Sequence, residues 1–179
     1  MVYVFLATGF EEVEALTAVD ILRRAELEVK TVGIGGKNIT GSHGVEVVCD
    51  LADEEADPRG VRMIVLPGGM PGTLNLERSK VVQGYLRMAV IDQLYIGAIC
   101  AAPSILGHIG LLDGANMTCY PGFESQMPDA VYTGAAVERY GNIITSKGPG
   151  TAIEFALKLA ELLAGEEKAA AVRASLQMA

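Results

Sequence analysis

The segment with the clearest potential for chemistry is residues 97–106, which read IGAICAAPSI. Cys100 follows an apolar run, and small residues, Ala98 and Ala102, lie two positions away on each side. A sharp turn that presents a nucleophile between a strand and a helix requires small flanks, because the two elements pass close together. The free N–H groups at a helix N-terminus would also lower the thiol pKa. The pattern predicts a nucleophilic Cys100, with a small buried core cysteine as the alternative.

A second candidate segment is the PGGMPG sequence of residues 67–72, which ends another apolar run. Gly68 and Gly69 would allow the backbone to approach a ligand closely. Their N–H groups, together with the N–H of Ala101, would form a binding site for an oxyanion. An ordinary turn is the alternative interpretation of the same residues.

The chain has only two histidines that could activate the cysteine, His43 and His108. His108 lies eight residues beyond Cys100 on the same predicted helix, which is about 12 Å along the helix axis. It therefore cannot contact the thiol and is expected at a helix end or on the surface. His43 lies in a Gly-Ser-His-Gly turn, where a structural or interfacial role is expected.

Three glutamates, Glu11, Glu12 and Glu14, follow the first predicted strand. Glu11 and Glu12 fit a solvated role as acids in the first turn of a helix. Glu14 and Glu11 each continue an apolar helical stripe, so the helical periodicity does not show which of the two is buried and functional. Two adjacent anions repel, so a carboxyl beside a thiolate has to be protonated. A protonated glutamate would donate a hydrogen bond to the thiolate, and it could replace the missing histidine.

The elements that would position these residues alternate between buried strands and helices. Strands are predicted in VYVFLA, EVKTVGIG, RMIVLPGG, LYIGAI and NMTCYPG, hairpins in TGSHGVEVVCD and GAAVERYGNIITSKGPG, and helices over residues 12–25, 80–91, 101–109 and 151–164 and from residue 166. This alternation predicts an α/β domain, residues 1–179, with a mostly parallel sheet covered on both faces. Ligands of such sheets bind at the carboxyl ends of the strands. Three predicted strands end at the candidate segments: the glutamates after the first strand, the PGGMPG segment and Cys100.

Composition excludes several classes of function. The formal net charge is −8, and the basic residues are scattered, so neither nucleic acid nor a membrane surface is an expected partner. Residues 94–112 are uncharged, but a proline and glycines interrupt them, which favours a buried strand and helix. Three cysteines without a secretory leader indicate free thiols and a cytoplasmic location. No local metal-ligand spacing is present, so no metal is expected.

Five segments in order resemble the ThiJ/PfpI superfamily, in its DJ-one-like branch. They are GFEEVEA, VDILRRA, VLPGGMPGTLNL, AICAAPSILG and TSKGPGTAIEFAL. The resemblance implies a flavodoxin-like three-layer sandwich and a homodimer. It also makes Cys100 the reactive, oxidisable cysteine and Glu14 its protonated partner, with Gly68, Gly69 and Ala101 as backbone contacts. Family activities include cofactor-free conversion of glyoxals to hydroxy acids, a deglycase activity, and redox sensing or chaperoning.

The chain departs from the family pattern at two positions. Tyr120 stands where some members carry a histidine near the cysteine, and tyrosine is a poor base at neutral pH. Ala101 stands where the proteolytic branch carries a histidine, which disfavours a peptidase or an amidotransferase triad. We therefore expect a cofactor-free, cysteine-dependent enzyme acting on small dicarbonyls, with Tyr120 lining its site. The alternative is a non-enzymatic oxidative-stress sensor or redox-regulated chaperone that uses Cys100. A flavin or nucleotide domain is disfavoured, because the three glutamates would repel phosphate.

Overall fold

The computed structural model describes residues 1–178 and is built around a seven-stranded sheet. The strands in chain order are β1 (Val2–Leu6), β2 (Val29–Gly33), β3 (Asn38–Thr40), β4 (Glu46–Val48), β5 (Leu51–Ala52), β6 (Met63–Leu66), β7 (Tyr95–Ile99), β8 (Asn116–Met117), β9 (Val131–Tyr132), β10 (Val137–Tyr140) and β11 (Ile143–Ser146). The helices are α1 (Glu12–Arg24), α2 (Gly72–Arg78), α3 (Lys80–Ile91), α4 (Pro103–His108), α5 (Ala152–Ala164) and α6 (Glu166–Ser175).

The large sheet has the order β10-β11-β7-β6-β1-β2-β5, and its neighbours are parallel except for the β10–β11 hairpin. The strand order reverses between β1 and β6, because β2 lies on one side of β1 and β6 on the other. Ligands of open α/β sheets bind at such a switch point, beyond the carboxyl ends of the strands. The loops after β1, β6 and β7, which carry the candidate residues, therefore meet at one edge.

Two apolar layers cover the sheet. Phe10, Ile21 and Phe155 belong to one buried cluster, which packs α1, α5 and α6 against one face. Leu76 and Leu86 belong to the other cluster, which packs α2, α3 and α4 against the opposite face. The predicted flavodoxin-like sandwich is confirmed, with a mostly parallel sheet between two layers of helices. Among residues 1–178, no helix combines the length and the apolar character needed to span a bilayer.

Two helices differ from the sequence prediction. Residues 72–78 form α2, which is absent from the prediction, because residues 67–72 are predicted as a glycine-rich strand end and no element is predicted for residues 73–79. Helix α4 begins at Pro103 instead of at Ala101, and it has only six residues. Proline suits the first turn of a helix, where its missing N–H would have had no partner. The prediction of a helix over residues 80–91 is confirmed by α3.

Candidate active site

Cys100 lies in a strained turn directly after β7. Its φ angle is +66°, a left-handed backbone conformation that residues other than glycine rarely adopt. Its N–H donates to the carbonyl of Ser146 at 2.9 Å, and its carbonyl accepts the N–H of Tyr120 at 2.8 Å. Neighbouring strands and loops thus hold the turn from two sides. The predicted strained strand-to-helix turn is confirmed, and such strain is concentrated at functional sites.

The flanks of the turn are as small and buried as the prediction required. Ala98 and Ala102 are completely buried, so neither position has space for a larger side chain. The helix that follows is shorter than predicted and begins three residues after Cys100. Its macrodipole therefore contributes less to thiol acidity than the sequence suggested, because the effect depends on aligned peptides and decays within one turn.

Gly68 provides the tight packing that brings Glu14 to the cysteine. A Cβ at position 68 would lie 2.6 Å from Cβ of Cys100 and 2.9 Å from Oε2 of Glu14, so only glycine fits. The N–H of Gly68 donates to Oε2 of Glu14 at 2.8 Å. This N–H is therefore committed to Glu14. The prediction that this N–H holds an oxyanion is therefore wrong. Its hydrogen bond orients the Glu14 carboxyl instead.

Glu14 is the glutamate that faces the thiol, which resolves the choice that periodicity left open. Its residue surface is fully buried, and within residues 1–178 its Oε1 has no hydrogen-bond partner. Burial raises the pKa of Glu14 to about 7, although the Gly68 N–H and the Cys100 thiol both lower it. The thiol is thus close enough to change the carboxyl pKa, but it does not satisfy Oε1 with good hydrogen-bond geometry. A buried oxygen without a partner favours the protonated carboxyl.

The acidity of Cys100 depends on the charge of this neighbour. Burial raises the pKa of the Cys100 thiol, and an ionised Glu14 raises it further by repulsion. The N–H groups of Ala101 and Gly69 lower the same pKa. The expected low thiol pKa therefore does not follow from the turn alone. It requires a protonated Glu14, which removes the repulsion and donates a hydrogen bond.

The N–H groups of Gly69 and Ala101 are the remaining donors beside the sulfur. Gly69 has a φ angle of +90°, which glycine adopts without strain. Both N–H groups interact with the Cys100 sulfur through hydrogen bonds, and these interactions lower the pKa of the thiol. The prediction that these two N–H groups stabilise negative charge on a bound oxygen remains a prediction.

Tyr120 lies beside the cysteine but is only partly enclosed. Its side chain contributes to a cavity of about 240 Å³ with Pro121, Lys147 and residues 148–151. Half of the tyrosine surface is exposed. Sequence reasoning did not single out Lys147 or Ser146 individually, although both belong to the TSKGPG segment that carried the resemblance. The sequence identifies the TSKGPG segment as a motif, but only the pairing of β11 with β7 shows that this segment lies next to Cys100.

Neither histidine contacts the thiol. His108 is the last residue of α4, and its Nδ1 pairs with Glu77. His43 pairs with Glu12 and Glu11 at the N-terminus of α1. The expectation that neither histidine acts as a base for Cys100 agrees with these contacts.

The other two cysteines lie in ordinary core environments. Cys49 and Cys119 are almost completely buried. Burial raises the pKa of Cys49 to about 11 and that of Cys119 to about 12. Asp50 and Glu124 raise these two pKa values by repulsion, but within residues 1–178 neither thiol interacts with a carboxyl through a hydrogen bond. All three cysteines are free thiols.

Comparison with known proteins identifies the family. The family model described as the DJ-1/PfpI family matches residues 1–162. Protein dj-1beta of Drosophila melanogaster is 39% identical over 179 residues, covering 98% of this chain and 96% of its own. Its crystal structure superimposes with a TM-score of 0.95, covering 99% of this chain and 97% of that chain at 38% identity.

A further relative has a name that states an activity. The protein of Caenorhabditis elegans named glutathione-independent glyoxalase DJR-1.2 is 35% identical over 160 residues, covering 88% of this chain and 85% of its own. The family model and these relatives agree with the fold described above. The chain belongs to the DJ-1/PfpI family.

Proposed function

We propose that this protein is a cysteine-dependent, cofactor-free enzyme that converts small dicarbonyls such as glyoxal and methylglyoxal to hydroxy acids. The observation that carries the proposal is the buried pair of Cys100 and Glu14, with the N–H groups of Gly69 and Ala101 beside the sulfur. The name of the Caenorhabditis elegans relative supports the same chemistry. We propose a cytoplasmic location, in keeping with the free thiols.

In the first step, the thiolate of Cys100 bonds to the aldehyde carbon of the substrate. The carbonyl electrons move to the oxygen, which the N–H groups of Gly69 and Ala101 stabilise. Glu14 then gives its proton to this oxygen, which completes a hemithioacetal. The carboxyl becomes a carboxylate in the same step, so it can act as a base in the next one.

In the second step, Glu14 removes the proton from the former aldehyde carbon. The electron pair forms a double bond to the neighbouring carbonyl carbon, whose oxygen becomes an enolate. The hydroxyl proton on the sulfur-bearing carbon passes to that enolate oxygen, and Glu14 returns its proton to the neighbouring carbon, which becomes the hydroxyl-bearing carbon. The product is a thioester on Cys100, which water hydrolyses to a hydroxy acid and the free thiol. One carbon is oxidised and its neighbour is reduced, so no external electron acceptor is needed.

This sequence requires one proton to be shared by the pair at neutral pH. With a pKa raised to about 7, Glu14 holds a proton far more readily than an exposed glutamate does. General acid–base catalysis is most effective when the catalytic pKa lies near the working pH. Tyr120, whose N–H donates to the carbonyl of Cys100, is expected to hold the turn and line the site without transferring a proton.

The test is a rate assay with glyoxal and methylglyoxal that measures formation of the hydroxy acid. Cys100→Ser should abolish turnover, and Glu14→Gln should lower kcat roughly 10²–10⁴-fold. Tyr120→Phe should change the rate less than about tenfold, because a phenol is a poor base at neutral pH. Cys49→Ser is the matched control for loss of a thiol and should retain activity.

A wild-type protein without turnover would contradict the proposal. If mild peroxide then added oxygen to Cys100 alone, as measured by intact mass, the redox-sensor alternative would replace the enzyme. In that alternative the sulfinate would accept hydrogen bonds from the same N–H groups and from Glu14.

We also propose that the protein forms a homodimer through the face made by α1 and α5. Val13 is 51% exposed and Ile153 is 40% exposed, and Leu16, one turn after Val13 on α1, lines a surface pocket together with Ile153. An apolar patch of this kind is typical of an interface. Light scattering should give twice the mass of the chain. The double variant Val13→Glu and Leu16→Glu should give the monomer mass.

A further inference from the structure

A cluster of four polar side chains outside the cysteine site has the geometry of a metal centre. It consists of Glu11 and Glu12, at the N-terminus of α1, and Ser42 and His43, in the β3–β4 hairpin. The ligand atoms of the two glutamates and His43 lie within 4.8 Å of one another. Ser42 adds a hydroxyl oxygen in contact with both carboxylates. No local sequence pattern indicates this cluster, because Ser42 and Glu12 are 30 residues apart.

The four donor atoms lie close enough together to surround one small ion. Oγ of Ser42 lies 3.2 Å from Oε2 of Glu11, 3.2 Å from Oε2 of Glu12 and 3.1 Å from Nδ1 of His43. Nδ1 of His43 lies 3.0 Å from Oε2 of Glu12 and 3.5 Å from Oε2 of Glu11. A tetrahedral ion with bonds of about 2.0–2.1 Å has ligand separations of about 3.3–3.4 Å. The five separations lie within about 0.4 Å of these values, and the remaining pair, the oxygens of Glu11 and Glu12, lies within 4.8 Å.

Charge gives a second, independent reason to expect a cation. The side chains of Glu11 and Glu12 are only 13% and 10% exposed. Within the described residues 1–178, His43 is the only cationic side chain within 4.0 Å of either carboxylate. Even a protonated His43 leaves one negative charge uncompensated, and largely buried charges are normally paired or bound to a metal. A divalent ion would neutralise both carboxylates.

We propose that Glu11, Glu12, Ser42 and His43 bind a divalent transition-metal ion of the zinc type. An imidazole nitrogen among the ligands favours zinc over magnesium or calcium, which prefer oxygen ligands throughout. Nε2 of His43 remains available to solvent, since the imidazole is bound through Nδ1 and its side chain is 71% exposed. The ion would connect the hairpin to α1 and uses no atom of Cys100.

The proposal is tested with zinc alone on the full chain, by competition against a chromophoric chelator. Because a reactive thiol can itself bind zinc, every variant is made in a Cys100→Ser background. We expect one zinc per chain in this background. His43→Gln and Glu11→Gln should each weaken binding roughly hundredfold, and Ser42→Ala should weaken it less, because water can replace a neutral hydroxyl.

The matched control is His108→Gln, because His108 pairs with one glutamate, Glu77, whereas His43 pairs with two. This variant should bind zinc as the background protein does. Glu12 is left intact, because its buried carboxylate holds the hairpin. Far-ultraviolet circular dichroism verifies that each variant is folded. Cobalt(II) added to the background protein should show the intense visible bands of tetrahedral coordination.

Three results would overturn the proposal. They are the absence of stoichiometric zinc in the Cys100→Ser protein, equal affinity in the His43→Gln and His108→Gln variants, and a cobalt spectrum of the weak, octahedral kind. A zinc signal present only when Cys100 is intact would assign the metal to the thiol.

Discussion

Glu12 and Glu14 lie two residues apart in the first turn of α1, both are buried, and their pKa values move in opposite directions. Burial raises the pKa of Glu12, but bonds from the His43 side chain and from backbone N–H groups outweigh it and lower that pKa to about 2. Burial raises the pKa of Glu14 to about 7, because it receives one backbone N–H and leaves Oε1 without a partner among residues 1–178.

The comparison shows that burial alone does not determine the charge of a carboxyl. The donors that reach it after burial decide whether the carboxylate or the acid is the more stable form. Glu12 has a structural charge that connects two elements. Glu14 has a proton that it can exchange beside a thiol. Each of the following experiments alters one side of this difference.

The largest effect is expected from Glu12→Ala. The substitution removes the acceptor for N–H groups of His43 and Val45 and for the Ser42 hydroxyl, which leaves three partly buried donors without their partner. We expect the free energy of unfolding at pH 7 to fall by about 3 kcal/mol, measured by urea denaturation. Glu46→Ala, at an exposed position of the same hairpin, is the control. Equal losses for the two variants would contradict a special role for Glu12.

An effect of similar size but opposite sign is expected from Glu14→Gln at high pH. The pKa of Glu14 is higher in the folded protein, at about 7, than in the unfolded chain, at about 4.5. The folded state therefore binds more protons between these values, and stability falls as pH rises through this window. The variant lacks this loss, so its free energy of unfolding relative to wild type should rise by about 3 kcal/mol between pH 4 and pH 8.

The measurement is urea denaturation of both proteins from pH 4 to pH 8. A constant difference between wild type and Glu14→Gln across this range would mean that Glu14 does not titrate there. A wild-type stability that rises from pH 5 to pH 7 relative to the variant would mean that its pKa is lowered. Either result would remove the contrast with Glu12.

Much of the fold could be predicted from the chain, because buried strands are continuous apolar runs. MIVL and YIGAI were predicted in this way and form β6 and β7. Helix α2 was missed, because its glycine and proline start resembles a loop. The short strand β5 has only two residues and no periodic signal.

The site was predictable where local geometry imposes a residue type and unpredictable where distant elements meet. Small flanks and a glycine-rich strand end identified Cys100 and Gly69. The choice between Glu11 and Glu14 depended on which side of α1 faces β6, and both stripes are apolar. The contact of His43 with Glu12 depends on a hairpin folding onto a helix 31 residues earlier, for which the sequence has no local pattern.

The most direct test of the central claim, that a protonated Glu14 activates Cys100, is the titration of thiolate absorbance against pH. The Cys100→Ser signal is subtracted to remove Cys49 and Cys119. If Glu14 donates a hydrogen bond to the thiolate, Glu14→Gln should raise the Cys100 pKa modestly. Glu14→Leu should then raise it by roughly one to two units, since a hydrogen bond to a charged group contributes about 1.5–3 kcal/mol. A fall in the Cys100 pKa in both variants would show that Glu14 is ionised beside the thiol and disfavours the thiolate by repulsion. That result would contradict the account.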